Sequence, residues 1–183
     1  MTERERQVFD ALSAQCARRE YCTADIRRKA LERLSKDSAD PSDSAVPGAA
    51  GRSVAFSLER MTDAAAAADA VVKALVAEGY VDDRRYAAAF ARDKSGLAGW
   101  GPVKIRSALL ARGVDRETVL EALEEIDADR AAARLEKVLE AKWRTLRDDP
   151  QGRLKLIRFA LSRGYDYEPV RPLIERLTRP DPD

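Results

Sequence analysis

No histidine occurs among the 183 residues. That absence removes the commonest general base and the commonest metal ligand, and it leaves the Ser, Thr and Tyr hydroxyls without an imidazole to activate them. The only cysteines, Cys16 and Cys22, are too few for a four-ligand zinc site and read as small apolar residues in or beside helices. No run is long and uncharged enough to span a membrane, and the opening MTERERQVF lacks the apolar core of a signal peptide, so a cytoplasmic location is expected. Strand signals are also missing: no alternating apolar and polar runs are joined by turn pairs. The stretch from Gly96 to Gly101 holds three glycines but follows no strand and lacks a phosphate-binding spacing, which leaves it as a turn between helices. Cofactors, metals and a reaction are therefore not expected. With 33 basic residues against 32 acidic ones, the net charge of +1 also excludes a uniformly basic, duplex-coating surface.

What is present is helix punctuation. Asp82 is placed to cap a helix that carries Tyr86, Ala89 and Phe90, after Gly79 has ended the one before. Gly101 and Pro102 open the next helix, whose apolar residues include Val103, Ile105, Leu109 and Leu110, and Gly113 closes it. Asp115 caps a third, with Val119, Ala122, Leu123 and Ile126 as its buried stripe. Shifted by fifty-one positions, Gly101–Leu123 falls on Gly152–Ile174 with eight of twenty-three residues identical. Lys104 meets Lys155, Leu110 meets Leu161, Arg112 meets Arg163, Gly113 meets Gly164 and Asp115 meets Asp166. A fainter copy lies seventy-nine positions back, where Ile26, Leu31 and Arg33 take the places of Ile105, Leu110 and Arg112. The chain thus reads as all-α, three tandem three-helix repeats forming an elongated, curved array that offers a long surface instead of one deep pocket.

The expected boundaries are 1–79, 80–127 and 128–177, with a disordered tail over 178–183. In the first repeat, Val8, Leu12 and Cys16, together with Ala11, share a helical face, and Thr23 caps a helix running to Leu34. Ser35 to Ser53 is rich in Ser, Asp, Ala, Pro and Gly and predicts a flexible insertion, counted as 35–61, before helix restarts at Thr62 or Asp63. In the third repeat, a helix from Asp129 places Leu135, Val138, Leu139, Lys142, Trp143 and Leu146 on one broad face. Pro172 would disturb the interior of the last helix, which Asp166 caps.

Charge changes sign along the array. Arg92, Lys94, Lys104, Arg106 and Arg112 outnumber Asp93 in one stretch; acids dominate from Asp115 to Asp129; then Lys155, Arg158 and Arg163 contribute to a second basic stretch. Such alternation suits a partner with its own charge repeat, although a set of solvated faces explains any single residue equally well. Trp100 reads either as an exposed recognition anchor or as a wedge between helices.

The run from Leu75 to Val114, with Tyr80, Val81, Asp82, Asp83, Arg85, Tyr86, Ala87 and Phe90, then Trp100, Gly101, Lys104, Ile105, Leu110 and Gly113, resembles the central signature of the RecX regulatory proteins. The stretches around Thr23–Leu34 and Arg153–Val170 resemble that family's first and third repeats. The resemblance implies a monomeric, noncatalytic regulator of the RecA recombinase. It would lie in the groove of the RecA filament on single-stranded DNA and hinder filament growth, ATPase, strand exchange and coprotease activity, with no membrane contact and with weak direct DNA contact left open. Its partner-binding residues, for filament or DNA, would be Arg92, Lys94, Trp100, Lys104, Arg106, Arg112, Lys155, Arg158 and Arg163. The competing readings are a nucleic-acid-binding module using its basic second helices, and a helical scaffold for an unrelated partner. Charge reversal at Arg92, Lys104 and Arg106 is expected to weaken inhibition of RecA, and inhibition equal to that of the unaltered chain would count against the basic patch.

Overall fold

In the computed structural model, residues 1–36 and 50–179 are described, with the side chains of 50–58 excepted. Among these residues there are nine α-helices and no strand: α1 (Glu3–Cys16), α2 (Thr23–Lys36), α3 (Ala50–Ala77), α4 (Asp83–Gly96), α5 (Pro102–Leu110), α6 (Arg116–Glu124), α7 (Ala128–Arg144), α8 (Gly152–Ser162) and α9 (Tyr167–Leu177). They divide into two compact units, Met1–Tyr86 and Ala87–Asp183.

In the first unit, α1 and α2 pack on α3. Val8, Phe9, Leu12 and Cys16 of α1 meet Ile26, Ala30 and Leu34 of α2 and Ala68, Val71, Val72 and Leu75 of α3 in one apolar cluster. Ala11 is exposed, and Phe9 takes the place expected for it. The larger ring removes more apolar area from water, and its edge lies against Tyr80 with centroids 6.0 Å apart. Thr2 and Glu5 form a capping box at the start of α1. Neither Cys16 nor Cys22 is in a disulfide; both are buried, and that burial pushes their thiols above the ordinary range.

The helix expected to restart at Thr62 or Asp63 is already under way there. α3 is continuous from Ala50, and the Thr62 hydroxyl donates to the Glu59 carbonyl inside it at 2.7 Å. A mid-helix threonine can bond back to its own turn in this way, so it does not mark a start. Of the expected insertion 35–61, residues 37–49 lie outside the described residues, as do 180–183 of the expected tail.

The Asp82–Asp83 pair caps two helices. Asp82 accepts from the Arg85 amide at 3.0 Å, closing the start of α4, while Asp83 reaches back sixty residues to accept from the Thr23 amide of α2 at 2.7 Å. A helix start carries unpaired N–H groups and partial positive charge, so each carboxylate supplies an acceptor and a countercharge.

The second unit holds the rest of α4 and helices α5–α9. Ile105 and Leu109 of α5 and Val119 and Ala122 of α6 are buried, whereas Val103 and Leu110 are exposed. Asp115 caps α6 through the Thr118 amide at 2.9 Å, and hydrogen bonding by the Thr118 hydroxyl, then by its amide, holds the carboxyl below the usual aspartate range. α7 starts one residue before the expected Asp129, and Asp127 caps it through the Arg130 amide at 2.9 Å. Leu135, Leu139, Leu146, Leu156, Ala160, Val170 and Ile174 form the core shared by α7, α8 and α9. α9 runs through Pro172, and Asp166 occupies its cap position without a side-chain hydrogen bond. Packing of Val170 and Ile174 on either side of the proline into that core carries the helix past it.

Leu109→Ala is expected to lower unfolding free energy by about 2–5 kcal/mol in urea titrations. The neighbouring Leu110→Ala should stay within about 0.5 kcal/mol of the unaltered chain, as surface substitutions do. Equal losses would show that the helical register is wrong.

Candidate functional site

α3, α5 and α8 end in the same way. Gly79, Gly113 and Gly164 have φ of 75°, 77° and 86°, and the residue after each donates its amide to a carbonyl five residues back: Tyr80 to Leu75, Val114 to Leu109, Tyr165 to Ala160. This is the double-bonded helix end that needs a left-handed residue, which glycine adopts without a Cβ clash.

At Gly164 the same turn also makes a junction. The Gly101 amide donates to the Arg163 carbonyl at 2.7 Å, and the Val103 amide donates to the Gly164 carbonyl at 3.2 Å. The start of α5 therefore abuts the end of α8. α5 has no acidic residue in its first turn and no side-chain cap, and α8 has no basic residue in its last turn. Each helix end supplies the opposite partial charge and the hydrogen-bonding groups that the other lacks. The backbones approach so closely that a Cβ on Gly101 would press on Gly164 and Tyr165, and one on Gly164 would press on Lys104.

This junction gathers several residues of the expected patch. The Lys104 ammonium donates to the Ser162 carbonyl at 3.2 Å and lies 4.6 Å from the centre of the Trp100 ring. Lys94 sits 5.1 Å from the same ring and 5.4 Å from Phe90, and the Arg112 guanidinium lies 4.9 Å from Phe90. Trp100 and Phe90 meet edge to face at 6.3 Å. Arg163 donates to the Ala98 carbonyl at 2.8 Å and stacks on Phe159 at 4.9 Å. The Tyr165 hydroxyl donates to the Trp100 carbonyl at 3.3 Å, and burial raises its pKa, so it remains a donor. Trp100 is thus half-buried and pinned from both sides, nearer to a wedge than to a free anchor. Lys94, Trp100, Lys104, Arg112 and Arg163 form a cationic and aromatic cluster in which ring faces hold the positive groups.

The remaining candidates lie apart from it. Arg92 pairs with Glu125 at 3.7 Å, and Lys155 pairs with Asp149 across the turn into α8. Arg158 is exposed on α8 and Arg106 is exposed on α5, neither with a hydrogen-bond or ion-pair partner among the described residues. Sequence reasoning missed Phe159 and Tyr165 and the contact between Gly101 and Gly164. The repeat pairs Gly101 with Gly152, so a contact between different repeat positions leaves no trace in it. No helix among the described residues is long and apolar enough to cross a membrane.

Tandem three-helix units with matching helix ends define an all-α repeat protein. The family models for the second and third three-helix domains of RecX match residues 82–123 and 129–174. The chain belongs to the RecX family. Relatives named Regulatory protein RecX include one from Pseudomonas entomophila, 39% identical over 55% of this chain and 64% of its own length. Another, from Chromohalobacter salexigens, is 40% identical over 55% of this chain and 65% of its length. One from Escherichia coli is 34% identical over 52% of this chain and 57% of its length. These alignments therefore span less than two thirds of each relative. A crystal structure of regulatory protein RecX matches with a TM-score of 0.66 over 93% of this chain and 72% of that one; at 16% identity this is a likeness of fold.

Gly164→Ala is expected to destabilise the chain in urea by more than Gly79→Ala. Both incur roughly 1–2 kcal/mol of left-handed strain, but a Cβ at Gly79 meets nothing within 4 Å while one at Gly164 collides with α5. Equal losses would remove the close junction from the account.

Proposed function

We propose that this chain is a noncatalytic regulator of the RecA recombinase. It binds in the groove of the filament that RecA forms on single-stranded DNA and hinders growth of that filament, and with it ATPase, strand exchange and coprotease activity. The observation that carries this reading is the match of residues 82–123 to the second RecX domain, because that stretch contains Phe90, Lys94, Trp100, Lys104 and Arg112 of the cluster. The relatives' shared name, Regulatory protein RecX, supports the regulatory role. Tandem units support the filament as target, since a second contact on a repeating assembly is made at high effective concentration and no single contact has to be strong. Absence of histidine agrees with a role in which binding alone has the effect.

A second reading has one observation in its favour. Cations gathered around the Phe90 and Trp100 rings resemble the chemistry by which proteins hold single strands, with charge for phosphates and ring faces for bases. In that case DNA is the direct ligand.

Titrating the purified chain into RecA filaments turning over ATP separates the two. Inhibition at well below one chain per RecA protomer, without binding to bare single strands at moderate salt, is the expected result. Steeply salt-dependent binding to bare DNA with no effect on the filament would replace the first reading with the second.

A further inference from the structure

A groove of about 340 Å³ lies between α5 and α6, lined by Arg106, Leu110, Arg116, Val119 and Leu120. Leu110 and Leu120 are 43% and 42% exposed. Arg106 and Arg116 are exposed and have no ion pair or hydrogen-bond partner among the described residues.

The first repeat shows what fills the corresponding place. At the shift of seventy-nine, Ile26 and Ala30 correspond to Ile105 and Leu109, all four fully buried, so the helices α2 and α5 share a register. The same shift places Arg27 on Arg106 and Leu31 on Leu110. Arg27 is held by Asp69 of α3 through two bonds, Nε to Oδ1 at 2.6 Å and Nη2 to Oδ2 at 3.2 Å. Leu31 is partly buried against the core to which α3 contributes Val71, Val72 and Leu75. The 28-residue α3 thus supplies the carboxylate together with part of the apolar core on which Leu31 packs. In the second repeat the third helix, α6, has nine residues. It brings Val119 and Leu120 to the groove but pairs no carboxylate with Arg106, and Leu110 stays 43% exposed. The third repeat lacks the feature, because Ile157 stands where Arg106 would be and packs against its own core.

We infer that the α5–α6 groove receives an acidic amphipathic helix from the protein partner, which takes the place that α3 takes on α2. The guest presents a carboxylate within a turn of aliphatic side chains, as α3 does with Asp69 beside Ala68, Val71 and Val72. Guanidinium groups also bind phosphate, but a nucleic-acid strand offers no aliphatic surface for Leu110 and Leu120, and no aromatic ring lines the groove for a base to stack on. Helix-in-groove recognition matches both the charge and the apolar lining. This inference rests on the RecA reading, for which it names the surface on this chain.

The test uses the full chain, its Arg106→Glu/Arg116→Glu and Leu110→Ser/Leu120→Ser variants, sedimentation with RecA filaments on poly(dT), and fluorescence anisotropy on a bare poly(dT) oligonucleotide. Circular dichroism melting checks that each variant is folded. Both variants are expected to bind filaments at least tenfold more weakly, with bare-strand binding unchanged. Unaltered filament binding by both overturns the groove while leaving the RecA reading intact. Loss of bare-strand and filament binding together in the charge variant, with none in the leucine variant, makes the groove a phosphate site and also overturns it. An unaltered chain that fails to bind filaments overturns the parent reading, and this inference with it.

Discussion

A helix leaves its first four amides and last four carbonyls without partners inside itself, so helices as short as α5 and α6, nine residues each, have most of their backbone polar groups near an end. Their stability in water is marginal until those groups are satisfied and one face is buried. Here the ends are satisfied largely by neighbours and by flanking residues. Asp82, Asp115 and Asp127 cap their own helices, Asp83 caps α2 from sixty residues away, and α5 and α8 close each other's ends. Short helices become usable building blocks only in this company.

That constraint sorts the basic residues. Lys104 holds a carbonyl at the end of α8, and Arg163 holds the loop before Trp100, so each is partly committed to the fold even though its charge is still felt outside. Arg106 and Arg116 hold nothing in the described structure. Basic residues that look alike in the sequence therefore separate into a cluster that braces a junction around two aromatic rings and a pair of open guanidinium groups beside exposed leucines. The two would respond differently to mutation: the first mixes stability with binding, and the second should affect binding alone.

Much of the fold was legible because helix ends are written locally. An aspartate three residues before the amide it caps, or a glycine after the last turn, can be read from a few letters; Asp82, Asp115, Gly79 and Gly113 do what their positions implied. α7 begins at Ala128, one residue before the expected Asp129, because Asp127 and Asp129 are equally good capping letters and only the bond to Arg130 decides between them. The continuity of α3 through Thr62 was missed for a related reason: a threonine that caps and one that bonds back within a helix look alike in sequence. What could not be read is non-local. The Asp83 bond to α2 and the approach of Gly101 to Gly164 each span about sixty residues, and no periodicity encodes which end will meet which. For the candidate site, the residue types were visible, but not their division between bracing and open roles.

The repeats differ most where backbone geometry demands least. α2, α5 and α8 keep the same buried register, and α3, α5 and α8 share a glycine-terminated end, because any departure would strand polar groups or strain the chain. The third helices have no such common obligation and run to 28, 9 and 11 residues. Shortening that helix in one repeat removes cover without disturbing the ends that hold the unit together, so the unit stays folded while an arginine and a leucine lose their internal partners. A tandem array can in this way acquire a recognition surface by subtraction, with the intact copy recording the shape and charge of what is missing.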